Sequence, residues 1–546
     1  MKKRLLTIIG VVLMAAALFT VIHFIWSDLY ISEFDSDNAE TAMWAQATLE
    51  SGKLADPDFL YYGMVIPVGG NLFFAPFVKA FGMSITTLRA GYTVSAVIFA
   101  VLLVLALRAC LNSWDLAMIG CGLIMLLTTA TESLRSIIWA HTVYYGLSIF
   151  FILMCFCSLS LYLRGKRIAG GILFFLSAML CSINGNVILL YTALPLAAAL
   201  FLELLSQEHP GESFMKGPLL LICAAIVLGF GLNKWITAGI STPYTDNYTL
   251  ISPASQWVGN LQLLPGRWLA IFLDLPQTSE PIGKKTVLRL GAAIVLSMLP
   301  FFSLSLSLSL SLLKDTKSRM TRIVILYHWF LCAVLLFFFV FGVISSWGRR
   351  LIPLWFSCLL VDWLTMMWML RKKGFLQTVG AISACLTALL AGLTAFTVIN
   401  TPANTSVWER SDCIYQTLLK HGLTHGYSAD YWYGPSVTVL SNETITSRTV
   451  GLTNDGFEMP IVLAKRAWYT GYPAGEKIFL ICRESIADEY PWLEEGVVEK
   501  YYAWQYSPPY RTTDSWVILV YDHDVIAEDL REKNAFGDGD TQIQEN

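Results

Sequence analysis

Apolar runs long enough to span a bilayer recur along this chain. They lie near 5–26, 90–107, 115–131, 142–163, 168–184, 187–205, 217–237, 287–313, 322–344, 351–370 and 375–399. A hydrocarbon core of roughly 30 Å takes about 20 residues of helix, so the pattern predicts eleven transmembrane helices. The third and fourth runs, and the fifth and sixth, are parted only by brief polar breaks. The Leu-Ser alternation over about 302–313 has the period of a strand. A lone strand in lipid leaves its backbone unsatisfied, so a helix with serine hydroxyls bonded back one turn is expected. The first run has the basic start of a signal peptide, but it stays apolar through Trp26 and reads as an uncleaved span.

If every run crosses, alternate loops share a side. One set carries the N-terminal MKKR, Arg108, RGKR (164–167), Lys216, KDTKSRMTR (314–322) and RKK (371–373). Basic loops stay in the cytoplasm, which predicts a cell-membrane, multi-pass protein with its N-terminus cytoplasmic and its C-terminus outside. Residues 1–401 then form the membrane domain, with external loops 27–89 and 238–286. In the second loop Trp257, Leu261, Leu264, Trp268 and Phe272 recur at helical spacing across Pro265 and Gly266. Two short interfacial helices are expected there.

From about 402 the pattern changes. SVTVLS, KIFLICR and SWVILVYD read as strands; ERSDCIYQTLLKHG and SIADEYPWLEE read as helices, the first stopped by Gly422. Residues 402–546 are expected to form a small extracytoplasmic α/β domain. Composition agrees: 55% of the 546 residues are hydrophobic and 14% charged, against roughly 25% charged in soluble domains. Nine of eleven cysteines lie in apolar runs; Cys413 and Cys482, in the polar tail, allow one bridge at most.

The spans carry almost no charge at their centres, where ion-coupled transporters keep it. Charges gather instead at the outer ends: Asp35, Asp37 and Glu40; Glu132 and Arg135; His141; Lys234; Arg349 and Arg350. The stretch FDSDNAETAMWAQ has a plain structural account, with Asp37 as N-cap and Glu40 three residues on as a capping box. That account leaves Asp35 unexplained. In the functional account Asp37 and Glu40 share a helix face and serve one site, as base and as orienter or metal ligand, for Mg or Mn. In SSWGRRLIPLW two adjacent arginines at a span's outer mouth either snorkel to ordinary headgroups or bind a phosphate with their planar forks. A lone His141 reads first as structural. There is no zinc spacing, GxGxxG, Walker lysine motif or GxSxG.

Together these features resemble the GT-C superfamily of polytopic glycosyltransferases that use polyprenyl-phosphate sugars, such as protein O-mannosyltransferases and the aminoarabinose transferase acting on lipid A. DSDNAETAMWAQATLESGKL is similar to their first external loop, which places Asp37 at the family's catalytic acid position. GRRLIPL resembles their RYLLPL signature, with Arg349 and Leu351 in register and Arg350 replacing Tyr. HGYSADYWYGPSVTVLSNETI resembles a C-terminal stretch of bacterial relatives. AHTVYY stands where many members have an Asp near TPD, and Asn38 stands where an acid often follows the first Asp.

The resemblance implies transfer of a sugar from a lipid-phosphate carrier to a glycan, lipid or protein acceptor outside the membrane, inverting the anomeric centre. Asp37 is then the general base with Glu40 and Asp35 assisting, and Arg349, Arg350 and Arg135 serve the donor phosphate. An O-antigen-type polymerase or ligase shares the carrier and the external arginines but not the acidic helix. A lipid or solute transporter predicts internal repeats and midplane charges.

Overall fold

The computed structural model describes residues 2–61, 63, 65–141, 144–206, 215–240, 242, 250–272, 287, 308–343, 348–401, 405–460, 462–504 and 515–533. Among these, eight helices are long and apolar enough to cross a membrane: Arg4–Trp26, Ile85–Leu111, Tyr145–Leu163, Asn186–Leu205, Lys216–Ile236, Arg319–Phe341, Gly348–Met369 and Phe375–Asn400. A ninth is the bent pair Trp114–Leu127 and Glu132–Ala140, and Arg167–Ile183 is a shorter apolar helix. Each expected run thus falls on a helix, except that most of 287–313 lies outside the described residues. Its end, Ser309–Asp315, is helical, as the Leu-Ser stretch leads one to expect.

Between membrane helices water expulsion gives no drive, so close backbone approach has to supply cohesion. The first span lies so near Trp114–Leu127 that a Cβ on Gly122 would meet the Leu13 backbone at 2.8 Å. The basic turns gather at one end of the bundle, where Arg322 pairs with Glu203 and Lys372 with Asp315, each at 2.8 Å. The opposite end carries the Ser36–Ser51 helix, the Ala254–Phe272 helix and the C-terminal domain.

Trp114–Leu127 stops because the hydroxyls of Thr128 and Thr129 donate to the carbonyls of Met125 and Leu126, at 2.5 and 2.8 Å. The chain bends by 113°. Thr131 then caps a short turn, Glu132–Arg135, which runs into a wider turn, Ser136–Ala140. The polar break thereby carries His141 across the top of the bundle.

The C-terminal domain is a mixed five-stranded sheet in the order β3-β2-β7-β9-β8, formed by Thr446–Thr449, His425–Ser428, Ile478–Arg483, Trp516–Tyr521 and Val497–Trp504. β2 runs parallel to β3 and β7, while β9 runs antiparallel to β7 and β8. The central strands β7 and β9 alternate between two cores. Leu480, Cys482 and Leu519 pack with Ile526 and Leu530; Phe479, Ile481 and Ile518 pack with Ile414, Leu418 and Val437. Burial on both faces is why these strands read as unbroken apolar runs. A two-residue pairing of β1 (Phe59–Leu60) with β6 (Ala464–Lys465) ties the 27–89 segment to the domain, and β4 (Gly451–Thr453) and β5 (Gly456–Glu458) form a separate antiparallel pair.

Three local expectations change. SVTVLS is not a strand: Gly434–Leu440 is a helix with Pro at its first turn, and Pro's fixed φ starts a helix there against the β-branched preference of the valines. SIADEYPWLEE is two pieces, Glu484–Glu489 and Pro491–Glu494, because Pro491 cannot continue a helix. Ala254–Phe272 is one helix through Pro265, not two. Among the spans Asp362 is fully buried with neither oxygen hydrogen-bonded, an exception to their lack of charge.

Candidate active site

The Ser36–Ser51 helix starts two residues earlier than the capping account supposed. Asp35 is the N-cap: its carboxylate accepts from the Asn38 N–H at 3.1 Å, and the Asn38 side chain accepts from the Asp35 N–H at 2.9 Å. This capping box uses the Asn that stands in place of an acid, and it releases Asp37 and Glu40 from structural duty. Burial, aided by the Asp37 charge, pushes the Asp35 carboxyl up to about 6.

Asp37 faces a cavity of about 920 Å³ between the bundle top and the C-terminal domain. Its Oδ1 accepts from the Tyr431 hydroxyl at 2.9 Å, and its Oδ2 lies 3.4 Å from Nη1 of Arg349. Ser36 donates to the Tyr431 carbonyl at 2.6 Å, so the domain's 429–432 turn is clamped to the first turn of the helix. Arg349 is placed by one 3-10 turn, Gly348–Leu351, leading into the Ile352–Met369 helix. Both partners keep some exposure, 21% for Asp37 and 34% for Arg349, and both line the cavity.

Glu40, one turn further on, is buried and bonded through Oε2 to His141 Nε2 at 2.7 Å. Burial opposes charge on His141, but the Glu40 hydrogen bond and the nearby Asp37 outweigh it and raise the imidazole above the usual histidine range. His141 thus lines the cavity as half of a buried Glu40–His141 pair, delivered by the bent segment. Burial, and next to it the Asp37 charge, raises the Tyr431 phenol, so this hydroxyl stays a donor.

The other expected phosphate ligands stand elsewhere. Arg135 does not line the cavity: its Nε donates to both oxygens of Glu33, at 3.1 and 3.0 Å, and its Nη1 to the Thr129 carbonyl at 3.1 Å. Sequence reasoning left out Glu33, which takes this guanidinium out of play. Arg350 is 4% exposed and also absent from the cavity wall. Arg267, on the Ala254–Phe272 helix, does line it and went unmarked, although the apolar spacing of that helix around it was visible. Tyr431 and Trp432 were missed as site residues too; they fall within the C-terminal stretch that carried part of the family resemblance.

Among the described residues no group of three or more His, Cys, Asp or Glu side chains is placed to hold a metal ion. The donor set around Asp37 does not fit one either. A guanidinium stands against one oxygen, a phenol donates to the other, and Glu40 is turned to His141. No chemical step is therefore routed through a divalent cation.

No protein-family model matches this sequence, and no curated protein matches it. Solved structures do. ArnT from Cupriavidus metallidurans bound to undecaprenyl phosphate superposes with a TM-score of 0.51 at 11% identity, over 93% of this chain and 97% of ArnT. The apo form gives 0.50 at 12%, with the same coverage. The chain has the ArnT fold. The shared fold agrees with the polytopic helical architecture with a small C-terminal domain that the sequence led one to expect. The ArnT-like fold accounts for a multi-pass membrane protein whose segment after the first span, late arginine turn and C-terminal domain meet at one end.

Proposed function

We propose that the protein is a membrane glycosyltransferase that moves a sugar from a polyprenyl-phosphate carrier to an extracytoplasmic hydroxyl or amine, with inversion. The observation that carries this reading is the meeting of Asp37 and Arg349 in the wall of one large cavity. Inverting transfer needs a base for the acceptor and positive charge for the departing phosphate, side by side. The ArnT-like fold and that protein's undecaprenyl phosphate support the carrier class.

In this reading Asp37 takes the acceptor proton as the acceptor atom attacks the anomeric carbon from the face opposite the phosphate. The bond from that carbon to the phosphate oxygen breaks, and the lipid phosphate leaves with the electron pair. Arg349 and Arg267 receive the charge on it. Tyr431 orients the base. Donor phosphate draws the guanidinium of Arg349 away from Asp37, which frees the carboxylate only when substrate is present. Arg350 and Arg135 hold the fold in place. The clustering of basic loops at the far end of the bundle supports a cytoplasmic N-terminus and an external cavity.

Mass spectrometry of a deletion strain tests the reading. A polyprenyl-phosphate-linked sugar should accumulate while one sugar disappears from an envelope glycan, lipid or protein. Unchanged levels of both would overturn it.

A further inference from the structure

The end of the bundle away from Asp37 holds a pocket of about 200 Å³ where three helices meet. Its wall is Ala109 of Ile85–Leu111, Ser160 and Leu163 of Tyr145–Leu163 with Arg164 just beyond, and Arg319 and Met320, which open Arg319–Phe341. Local bonds fix this junction. Tyr145–Leu163 ends as the Arg164 N–H donates to the Ser160 carbonyl at 3.1 Å, and the chain turns at Gly165, whose φ is +89°. Arg319–Phe341 starts from a Ser318 cap, and its Thr321 hydroxyl donates to the Cys110 carbonyl at 3.1 Å. Two arginines from distant parts of the chain are thereby brought to one small space.

No acid stands in that wall. Described acids at this end are engaged elsewhere: Glu203 by Arg322, Asp315 by Lys372, and Asp115 by the Thr7 hydroxyl at 2.7 Å. Arg164 is exposed, and among the described residues no hydrogen bond or ion pair engages its guanidinium. Two like charges around one space repel until an anion comes between them, and the first turn of a helix adds its own positive end. A guanidinium stays charged at any working pH, and its fork matches two oxygens of a phosphate.

The pocket also continues an apolar surface. Ile98, Val101, Leu105 and Ala109 follow at steps of three and four, which keeps them on one face of Ile85–Leu111. The first three are exposed, and the fourth is in the pocket wall. Leu161, also exposed, lies three residues before Arg164. A lipid-facing stripe that ends at a basic pocket between spans fits a molecule with an anionic head and hydrocarbon tails better than a free anion. We propose that this pocket binds the headgroup phosphate of an anionic phospholipid, with Arg164 and Arg319 on the phosphate and an acyl chain along the Ile98–Ala109 face. The bound lipid ties together the ends of three spans. The proposal is independent of the transferase reading, since the pocket lies at the other end of the bundle from Asp37.

The test titrates lipids onto the delipidated full chain in detergent and counts bound molecules by native mass spectrometry. The probes are dioleoylphosphatidylglycerol, dioleoylphosphatidylcholine, glycerol 3-phosphate and inorganic phosphate. Phosphatidylglycerol should bind ahead of phosphatidylcholine, and Arg164→Gln or Arg319→Gln should weaken it by about tenfold. Arg371→Gln, at the same end but outside the pocket wall, should leave it unchanged. Thermal unfolding checks the fold: in phosphatidylcholine the variants should melt with the parent, and the rise given by phosphatidylglycerol should be lost. Arg164 is exposed, so Arg164→Gln keeps the test decisive even where Arg319→Gln fails to fold. The proposal is overturned if phosphatidylglycerol binds no better than phosphatidylcholine, or if Arg371→Gln weakens it as much as Arg164→Gln does. It is overturned too if glycerol 3-phosphate or inorganic phosphate displaces the lipid at equal concentration, which would make the pocket a site for a soluble phosphate.

Discussion

Replacing Asp37 by Asn separates chemistry from architecture, because the structure assigns the helix cap to Asp35. The substitution keeps the side-chain size, and its amide oxygen still accepts from Tyr431. What the fold loses is the ion pair to Arg349, a 3.4 Å contact between partly exposed groups. Such pairs are worth about 0–1 kcal/mol after screening. Losing a positioned base costs about 10²- to 10⁴-fold in rate, or about 2.7–5.4 kcal/mol of barrier. The two effects differ enough to be told apart on one sample. Thermal unfolding of the purified variant should stay close to the parent, while release of polyprenyl phosphate from a lipid-linked sugar falls by about a hundredfold or more. Folded Asp37→Asn enzyme turning over near the parental rate would refute the assignment. So would a larger loss in Asp35→Asn, a change that touches the cap and not the cavity.

Arg349→Ala should lower kcat/KM for the donor by about ten- to a hundredfold, the loss of one charge-assisted bond to phosphate, measured against donor concentration. Arg350→Ala should instead lower the unfolding temperature, since that side chain is buried behind the cavity wall and bonded to Tyr145. Asp35 gives a pH signature. Its folded carboxyl titrates at about 6 against an ordinary 3.8, so the folded state binds more protons between those values and stability falls as pH rises through that window. Asp35→Asn should flatten that fall in unfolding midpoints measured from pH 4 to 7. Turnover should be unaffected by EDTA, because a guanidinium stands beside Asp37 where a cation would have to sit; chelator-sensitive turnover restored by Mg or Mn would refute this.

The spans were legible because lipid imposes a length and a composition that few other segments satisfy, and Gly348–Met369 and Phe375–Asn400 fall where the runs place them. Short polar stretches were harder. Asp35 and Asp37 offer the same capping chemistry two residues apart, and nothing in spacing alone says that Asn38 will close the box. The nearby tertiary bond from Ser36 to Tyr431, 395 residues away in sequence, is invisible to any local pattern. The place of Arg135 outside the cavity wall was hidden for a similar reason: Glu33, 102 positions earlier, pairs with it. The valines of SVTVLS favoured a strand until Pro435 and packing against the Ser36–Ser51 helix decided otherwise.

Each missed residue shares one property, that its role depends on a third element. Asp37 and Arg349 come from the two motifs the sequence displays, and a base beside a phosphate ligand is already a plausible pair. As paired, however, they neutralise one another at 3.4 Å, and a site made of these two alone would rest as a closed ion pair. Tyr431 changes that balance from the C-terminal domain, since a phenol donating to Oδ1 holds the carboxylate in place whether or not Arg349 remains. The Ala254–Phe272 helix brings Arg267, so positive charge persists in the wall when Arg349 turns to a phosphate. The domain beyond the last span thus contributes Tyr431 and Trp432 to the cavity wall beside Asp37 and is no appendage to it.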